Sequence, residues 1–302
     1  MTAPPLERAE ARPARYAMLR VPERLVETCH RVPASSAWLE RLPDVIHQLR
    51  DKWSLSLGAP FDGGDVSCAW VAPVVRADGT RAVLKLGMPH FEGAHEIQGL
   101  RFWDGGPTAR LLESDVDFNA MLLEQCQPGT ALRERPEREQ DVVVARLLRR
   151  LWSRSAAPHP FRPLSAMMAH WADETIAAAH EWPDAGLVRH GLRLFEELSR
   201  PSADDVVLAT DLHAGNVLRA EREPWLVIDP KPFVGDRAYD ATQHLFNCEG
   251  RMLTAPEATI HNVADLLGVD EERVRLWMCA RAAAEPRNTW NDDSVTLARL
   301  LA

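Results

Sequence analysis

Two motifs in the second half of the chain carry the side chains that phosphoryl transfer needs. Asp211 and Asn216 are separated by four residues in the segment TDLHAGN, and Asp229 ends the next apolar run. A carboxylate can orient an attacking hydroxyl and accept its proton, while Mg²⁺ on nucleotide phosphates prefers carboxylate and amide oxygens. Asp, Gly and Asn are also common turn residues, so either motif alone is compatible with an ordinary turn. The two motifs together favour a phosphotransferase site.

Lys85 is a candidate cation for the same chemistry. The chain has three lysines, at positions 52, 85 and 231, and Lys85 stands inside an apolar run. A lysine in that position either faces water on an edge strand or finds a carboxylate partner. Glu92 and Glu96 follow on a predicted helix, where a spacing of four residues puts them on one face.

The elements that must position these residues change in character along the chain. Asp78-Gly79 between two apolar runs is typical of a hairpin turn, and Pro128-Gly129 after a buried strand predicts an exit from the β-rich part. Before that exit the sequence predicts helices at 37–52 and 90–103, and strands at 53–57, 66–75, 82–86, 109–112 and 120–123. After it the sequence predicts helices at 144–152, 165–182 and 185–199, and a short β section at 206–208 and 225–228. A β-rich part followed by a helix-rich part is an α+β arrangement.

Composition and charge exclude several classes of protein. The 302 residues carry 35 basic and 44 acidic side chains, and this net charge of −9 argues against a nucleic-acid binder and is compatible with a cationic ligand. No run approaches the ~18 apolar residues that a membrane helix needs. The five cysteines form no CxxC pair, and the first 20 residues lack the pattern of a secretion signal. We therefore expect a cytoplasmic protein that contacts neither nucleic acid nor membrane.

The order of these parts resembles that of a protein-kinase-like phosphotransferase, in which a glycine loop, a lysine strand, a glutamate helix and the two acidic motifs follow one another. Several segments are similar to the aminoglycoside phosphotransferase superfamily, and within it to the branch of streptomycin 6-phosphotransferases and hydroxyurea antibiotic resistance kinases. These segments are 76–85, 121–124, 210–218, 220–236 and 239–240.

The resemblance implies a two-lobed fold with a small antiparallel β N-lobe and a large helical C-lobe. We expect the lobes to divide after residue 126, where the β-rich part ends. The expected parts are an N-terminal arm, partly disordered, at 1–36, a nucleotide-binding N-lobe at 37–126, and a catalytic and substrate-binding C-lobe at 127–302.

The resemblance also implies a role for each residue of the two acidic motifs. Asp211 would orient the acceptor hydroxyl and accept its proton. Asn216 and Asp229 would bind Mg²⁺. The expected cofactors are therefore ATP and Mg²⁺.

The nucleotide-binding residues implied by the resemblance lie in the N-lobe. Lys85 would contact the α- and β-phosphates and would be held by Glu96, with Glu92 one turn earlier as the alternative. The loop around Gly63 and Gly64 would cover the phosphates. Adenine would be hydrogen-bonded by backbone groups of Glu124 and Cys126.

The chain departs from the family pattern in front of the catalytic Asp. The superfamily usually carries His-Gly there, whereas this chain has Ala209 and Thr210. We expect another group to make the hydrogen bond that braces this loop. His213 is interpreted as a second brace, because no cluster with metal-ligand spacing lies near it. Asp236 and Asp240 are interpreted as residues that stabilise a helix terminus.

A cationic acceptor would need a pocket lined with acids, because one exposed ion pair contributes only ~1 kcal/mol at 4 Å in water. Trp290 could stack on a guanidinium beside Asp292 and Asp293, although the same segment is compatible with an ordinary helix N-cap. The candidate acids of the C-lobe are Asp173, Glu174, Glu285, Asp292 and Asp293.

The sequence as a whole predicts an ATP-dependent kinase that phosphorylates a hydroxyl of a small cationic antibiotic, with streptomycin 6-phosphorylation as the first candidate. A kinase of hydroxyurea or of another small metabolite is the alternative within the same fold. A nucleotide-binding pseudokinase that serves as an interaction module is the alternative of another class. We expect a monomer or a weak dimer.

Overall fold

The β-rich first half of the chain folds around a five-stranded antiparallel sheet with the strand order β1-β2-β3-β5-β4. The computed structural model describes residues 20–31, 33–63, 68–153, 159–286 and 290–302. The strands of this sheet are β1 (Leu55–Leu57), β2 (Ala69–Arg76), β3 (Arg81–Gly87), β4 (Leu111–Asp115) and β5 (Ala120–Glu124).

Lys85 lies on β3, the central strand of the sheet, between Val71 of β2 and Met121 of β5. Successive side chains of a strand point to opposite faces. Leu84 and Leu86 therefore enter the apolar core on one face, and Lys85 points to the other. The central position of β3 excludes the edge-strand interpretation, and the alternation turns Lys85 towards the helix that follows.

Helices cover both faces of this sheet. α1 (Glu23–Arg31) and α2 (Pro33–Lys52) contribute to the core on the Leu84 side, and α1 buries Leu25 and Cys29 there. α3 (Glu96–Trp103) packs Ile97 and Leu100 against the other face. The segment that we expected to be an arm at 1–36 thus includes a helix packed on the sheet.

The second half is built from helices α4 to α11, and α10 lies at its centre. α10 contacts α6, α7, α9 and α11, and nearly every residue from Val274 onwards is buried. The α6–α10 contact requires a glycine, because a Cβ on Gly191 would lie 2.8 Å from the Cβ of Ala284. The bounds are α4 (Glu137–Trp152), α5 (Leu164–Ala177), α6 (Ala185–Leu198), α7 (Arg237–Phe246), α8 (Glu249–Thr254), α9 (Pro256–Leu267), α10 (Glu271–Ala284) and α11 (Asp292–Leu301).

Two short antiparallel pairs lie between the sheet and these helices. β6 (Val206–Leu208) pairs with β9 (Phe233–Gly235), and β7 (Val217–Arg219) pairs with β8 (Trp225–Val227). The pairing of β6 with β9 brings the loop after β6 beside the loop that follows β8. Both acidic motifs are on these loops.

The structure therefore confirms the predicted α+β arrangement, with a small antiparallel sheet followed by a helical region. In the part of the chain that the structure describes, no helix is both long and apolar enough to span a membrane.

Candidate active site

The loops after β6 and β8 bring the two acidic motifs together. Asn216 ends a short 3₁₀ turn and donates from Nδ2 to the carbonyl oxygen of Asp211 at 2.9 Å. Its own carbonyl accepts from the backbone N–H of Ile228 at 2.9 Å, which ties the turn to the residue before Asp229. Asp229 has a φ of 54°, in the left-handed region that Asp tolerates better than most residues. The two adjacent loops therefore bring one amide side chain and two carboxylate side chains together.

Lys85 reaches this pair of loops from the opposite lobe. Its Nζ lies 2.6 Å from Glu96 Oε1 and 2.7 Å from Asp229 Oδ1. Burial disfavours the charged form of Lys85. The negative charges of Asp229 and Glu96 outweigh this effect of burial and raise the pKa of the ammonium group. Glu92 is also buried, but its Oε1 accepts from the indole N–H of Trp171 at 2.9 Å. The acid paired with Lys85 is thus Glu96, one turn after Glu92.

A second lysine, which the sequence analysis did not assign to the site, lies on the other side of the acids. Lys231 Nζ forms an ion pair with Asp211 Oδ2, and its side chain is largely buried. Burial disfavours the charged form, but Asp229 and Asp211 raise the pKa of Lys231. The signal available in the sequence is that Lys231 is one of three lysines and comes two residues after Asp229.

Asp240 holds the loop that carries Asp211. Its carboxylate accepts from the backbone N–H groups of Ala209 at 3.0 Å and Thr210 at 2.7 Å, and from the indole N–H of Trp152 at 2.8 Å. The Thr210 hydroxyl donates to the carbonyl of Lys231 at 2.6 Å. These bonds brace the loop where the superfamily usually carries His-Gly.

A family model described as "Aminoglycoside/hydroxyurea antibiotic resistance kinase" matches residues 54–294. The chain belongs to this family. Membership confirms the resemblance drawn from the motifs, makes the protein a small-molecule kinase, and implies the use of ATP.

Relatives in this family act on different acceptors. The chain is 38% identical over 273 residues to a hydroxyurea phosphotransferase of Kitasatospora aureofaciens, covering 88% of this chain and 78% of the relative. It is 33% identical over 276 residues to a streptomycin 6-kinase of Streptomyces glaucescens, covering 87% and 89%. Choline kinase LicA of Streptococcus pneumoniae superposes with a TM-score of 0.60 at 13% identity, covering 85% and 97%. That likeness confirms the kinase-like fold.

The remaining nucleotide-binding candidates of this resistance-kinase chain lie where the lobes join. The Glu124 carboxylate accepts from Arg222 at 2.9 Å and from the backbone N–H of Arg110 at 3.1 Å. The backbone N–H of Glu124 donates to the carbonyl of Arg110 at 2.9 Å, so neither the carboxylate nor this N–H is open to a base. Cys126 is buried in an apolar cluster at the join, which also contains Ala109, Ala220, Leu226, Leu218 and Ile228.

The glycine loop has a partial description. Gly63 is exposed on the loop after β1, and among the described residues other than its chain neighbours no atom lies within 4 Å of a Cβ built on it. Gly64 lies outside the described residues.

The braces expected near Asp211 have distinct partners. His213 Nδ1 accepts from the backbone N–H of Gly215 at 3.1 Å and so closes the 3₁₀ turn. Asp236 caps α7 by accepting from the N–H of Ala238 at 3.0 Å. Asp240 lies one turn inside α7 and braces the loop that carries Asp211, whereas the sequence analysis expected it to stabilise a helix terminus.

The five candidate substrate acids have different surroundings. Glu285 is buried and accepts from Arg281 Nε at 2.8 Å, so its charge is compensated within the protein. Asp173 and Glu174 are exposed on α5, and Asp292 and Asp293 are exposed in the first turn of α11. Asn291 caps α11 through its side chain.

Asn216 and Asp229 fit the requirements of a magnesium ion. The Asn216 amide nitrogen is engaged by the carbonyl of Asp211, which leaves the amide oxygen as its ligand atom. Asp229 adds carboxylate oxygens, and Lys85 and Lys231 hold its pKa well below the usual value in spite of its burial. An all-oxygen donor set of low proton affinity is the set that Mg²⁺ prefers.

Proposed function

We propose that this family member transfers the γ-phosphoryl group of ATP to a hydroxyl of a small antibiotic, with the 6-hydroxyl of streptomycin as the first candidate acceptor. The observation that carries the proposal is the convergence of Lys85, Asp211, Asn216 and Asp229, which come from distant parts of the chain, between the two lobes. No ordinary turn requires a lysine from another lobe to bind its acid.

The chemistry follows from the position of the Asp211 carboxylate on the braced loop. The acceptor hydroxyl gives its proton to Asp211 as its oxygen forms a bond to the γ-phosphorus. The bond from that phosphorus to the bridging oxygen breaks, and the electron pair leaves with ADP. Orientation and charge stabilisation account for most of the rate enhancement in such a transfer, because little covalent work falls to the protein.

Lys85 and the two metal ligands serve the nucleotide. Lys85, held by Glu96, contacts the α- and β-phosphates, and Asn216 and Asp229 hold Mg²⁺. The ion neutralises charge on the phosphates when it is bound. ATP with Mg²⁺ is abundant in the cytoplasm, which is the compartment we propose for the reaction.

Two acceptors are supported by particular relatives. The streptomycin 6-kinase match covers 89% of the relative, and the hydroxyurea phosphotransferase match has the higher identity at 38%. The net charge of −9 and the exposed acids on α5 and α11 support the cationic acceptor streptomycin. Hydroxyurea, which is neutral and much smaller, is the second candidate.

The test is a transfer assay with purified protein, Mg-ATP, and streptomycin or hydroxyurea in parallel. We expect ADP release that depends on streptomycin, and a phosphorylated product whose phosphate is located on the 6-hydroxyl by NMR. Transfer to hydroxyurea alone would replace the first acceptor with the second. Nucleotide binding without transfer to either acceptor, or to a panel of aminoglycosides, would overturn the proposal and favour a pseudokinase.

A further inference from the structure

Lys231 is held at the site by its backbone as well as by its charge. Its N–H donates to the carbonyl of Ala209 at 2.9 Å, and its carbonyl accepts from the Thr210 hydroxyl at 2.6 Å. Pro230 and Pro232 flank it, and each proline fixes its own φ. The backbone N–H and the carbonyl of Lys231 therefore both attach this segment to the loop that carries Asp211.

The side chain of Lys231 meets the carboxylate to which we assign the acceptor proton. Its Nζ contacts Asp211 Oδ2, and the side chain is 16% exposed. Lys85 is separately engaged by Glu96 and Asp229. The two lysines thus approach the acids from different elements and hydrogen-bond different aspartates, Lys85 to Asp229 and Lys231 to Asp211, while both act electrostatically on Asp229.

The choice of lysine at this position has a physical consequence. Lys52, the third lysine of the chain, is exposed, so both buried lysines are at this site. An ammonium group is a compact charge with three donors, so one lysine can bind a carboxylate and a phosphoryl oxygen together.

We propose that Lys231 is a catalytic residue that binds an oxygen of the transferring γ-phosphoryl group while it remains hydrogen-bonded to Asp211. This inference rests on the proposed function and adds a second protein cation to it. Lys231 keeps its proton throughout the transfer. It holds the phosphoryl group next to the carboxylate that orients the acceptor, and it stabilises the charge on the equatorial oxygens as the phosphorus moves from ADP to the acceptor oxygen.

The first experiment compares Lys231→Met, Lys231→Arg and Lys52→Met in the full chain. Lys52 is the matched control, because its Nζ binds Asp115 on the surface at 2.8 Å. Loss of one preorganised donor to the transition state lowers kcat by about 100-fold or more, and we expect that loss for Lys231→Met with KM for the acceptor changed by less than about threefold. We expect the kcat of Lys231→Arg to be at least about tenfold higher than that of Lys231→Met, because arginine returns the charge. The kcat of Lys52→Met should equal that of the native chain.

The second experiment separates a contact with the γ-phosphoryl group from a role in the fold. Calorimetry measures the affinity of each variant for ADP and for a non-hydrolysable ATP analogue. We expect Lys231→Met to weaken the analogue and to leave ADP within about twofold, since ADP lacks the group that Lys231 binds. Thermal unfolding identifies any variant that does not fold. If Lys231→Met does not fold, the affinities of Lys231→Arg are compared with those of the native chain instead.

Failure of this inference is distinguishable from failure of the proposed function. If the native chain transfers phosphate and Lys231→Met retains kcat within about threefold, or if the affinities for ADP and the analogue fall equally, Lys231 is not a ligand of the γ-phosphoryl group. If the native chain transfers phosphate to no acceptor, the proposed function fails. The difference between the analogue and ADP still decides whether Lys231 binds the terminal phosphate.

Discussion

Charged side chains at the site alternate in sign from one lobe to the other. Glu96 binds Lys85, Lys85 binds Asp229, and Lys231 binds Asp211. A buried charge without a partner is costly, so each acid here depends on a particular lysine. Removing one member therefore changes the charge state or position of its neighbour, and substitutions at the site should be interpreted as changes to a pair.

Asp211→Ala tests the residue to which we assign the acceptor proton. General-base contributions amount to roughly 10²- to 10⁴-fold, so we expect kcat to fall by about 10³-fold. The affinity for ADP stays within about threefold, because Asp211 is not proposed to hold the nucleotide. Steady-state transfer kinetics and calorimetry measure the two quantities.

Asp204→Ala is the matched control for this variant, because Asp204 is exposed and lies just before β6. It should keep native kinetics. Full turnover in Asp211→Ala would remove Asp211 from the proposed chemistry.

Glu96→Gln and Glu92→Gln form a second comparison at the level of single residues. Glu96→Gln removes the charge that holds Lys85, so Lys85 is left to Asp229 alone. Asp229 then competes more strongly with nucleotide phosphates for the ammonium group of Lys85. We expect a loss of nucleotide affinity of about tenfold, which corresponds to ~1.4 kcal/mol. A glutamine at 92 can still accept from Trp171 through its amide oxygen, so we expect nucleotide affinity close to native there.

Calorimetry with ADP measures both glutamate variants, with urea unfolding beside it to separate affinity from folding. A larger loss of affinity in Glu92→Gln than in Glu96→Gln would contradict the functional pairing of Lys85 with Glu96.

At the scale of elements, α7 positions the loop that carries Asp211. Asp236 begins the helix as its N-cap, and it also accepts from the indole of Trp277 at 2.9 Å. One turn later, Asp240 accepts from three N–H groups, two of them on the loop before Asp211. Burial raises the pKa of Asp240 to about 6, which leaves it ionised at pH 7. The helix therefore presents a fixed anion to the loop that carries Asp211.

Asp240→Asn should loosen this loop. All three partners of Asp240 are donors, so an amide NH₂ group would face an N–H and leave a buried donor unsatisfied, at a cost of about 1–3 kcal/mol. We expect lower stability in urea unfolding and a fall in kcat that persists at saturating substrate. Asp236→Asn is the control, because it removes the ion pair with Arg273 at the start of the same helix without touching the loop. Equal loss of kcat in the two variants at equal stability would argue against a specific bracing role for Asp240.

Local patterns in the sequence were sufficient for the sheet and for part of the helical region. The Asp78-Gly79 turn predicted the β2–β3 hairpin, and apolar spacing predicted α4, α5 and α6, whereas α7, β7 and β9, which also position the site, were not predicted separately. α1 was not predicted, because a helix of nine residues is marginal by itself and depends on packing Leu25 and Cys29 against the sheet.

The contacts made by Lys231 and Asp240 could not be predicted in the same way. Lys231 meets Asp211 across 20 positions, and Asp240 meets Thr210 across 30. Periodicity and turn chemistry describe neighbours within about ten residues, whereas these contacts depend on the pairing of β6 with β9 and the packing of α7. The motif resemblance supplied roles for Lys85, Asn216 and Asp229, and it assigned none to Lys231, although this lysine lies within the similar segment 220–236.

At the scale of the whole molecule, the site is also a joint between two lobes. Lys85 and Glu92 of the first half contact Asp229 and Trp171 of the second. Arg222 donates to the carbonyls of Gly105 at 2.6 Å and Thr108 at 2.9 Å, in addition to Glu124. If nucleotide binds Lys85 as we propose, its phosphates compete with an interlobe ion pair there while the contacts of Arg222 keep the lobes attached.

The C-lobe contains a buried charge cluster away from this joint. Asp141 of α4 lies 2.8 Å from His244 Nε2 and accepts from both terminal nitrogens of Arg251 at 2.8 Å, while Cys248 Sγ lies 3.9 Å from His244 Nε2. The acid, imidazole and thiol are close enough to share an ion, but Arg251 already supplies the cation. In spite of burial, Arg251 and His244 lower the pKa of Asp141 to about 2. Asp141 and Cys248 raise that of His244 to about 9.

These pKa shifts predict how the free energy of unfolding depends on pH. His244 is charged more readily in the folded chain than in the unfolded chain, so its contribution is complete below about pH 6.5 and is lost as the pH rises through about 9. The contribution of Asp141 to the free energy of unfolding depends on pH in the opposite direction. It is present above about pH 4 and is lost as the pH falls towards 2. Urea unfolding from pH 4 to pH 10 should show a decline above pH 7 that is smaller in His244→Gln. His261→Gln is the control, since His261 is an exposed partner of Glu271, and it should retain the native decline. An unchanged decline in His244→Gln would mean that the buried imidazole is uncharged in the folded chain.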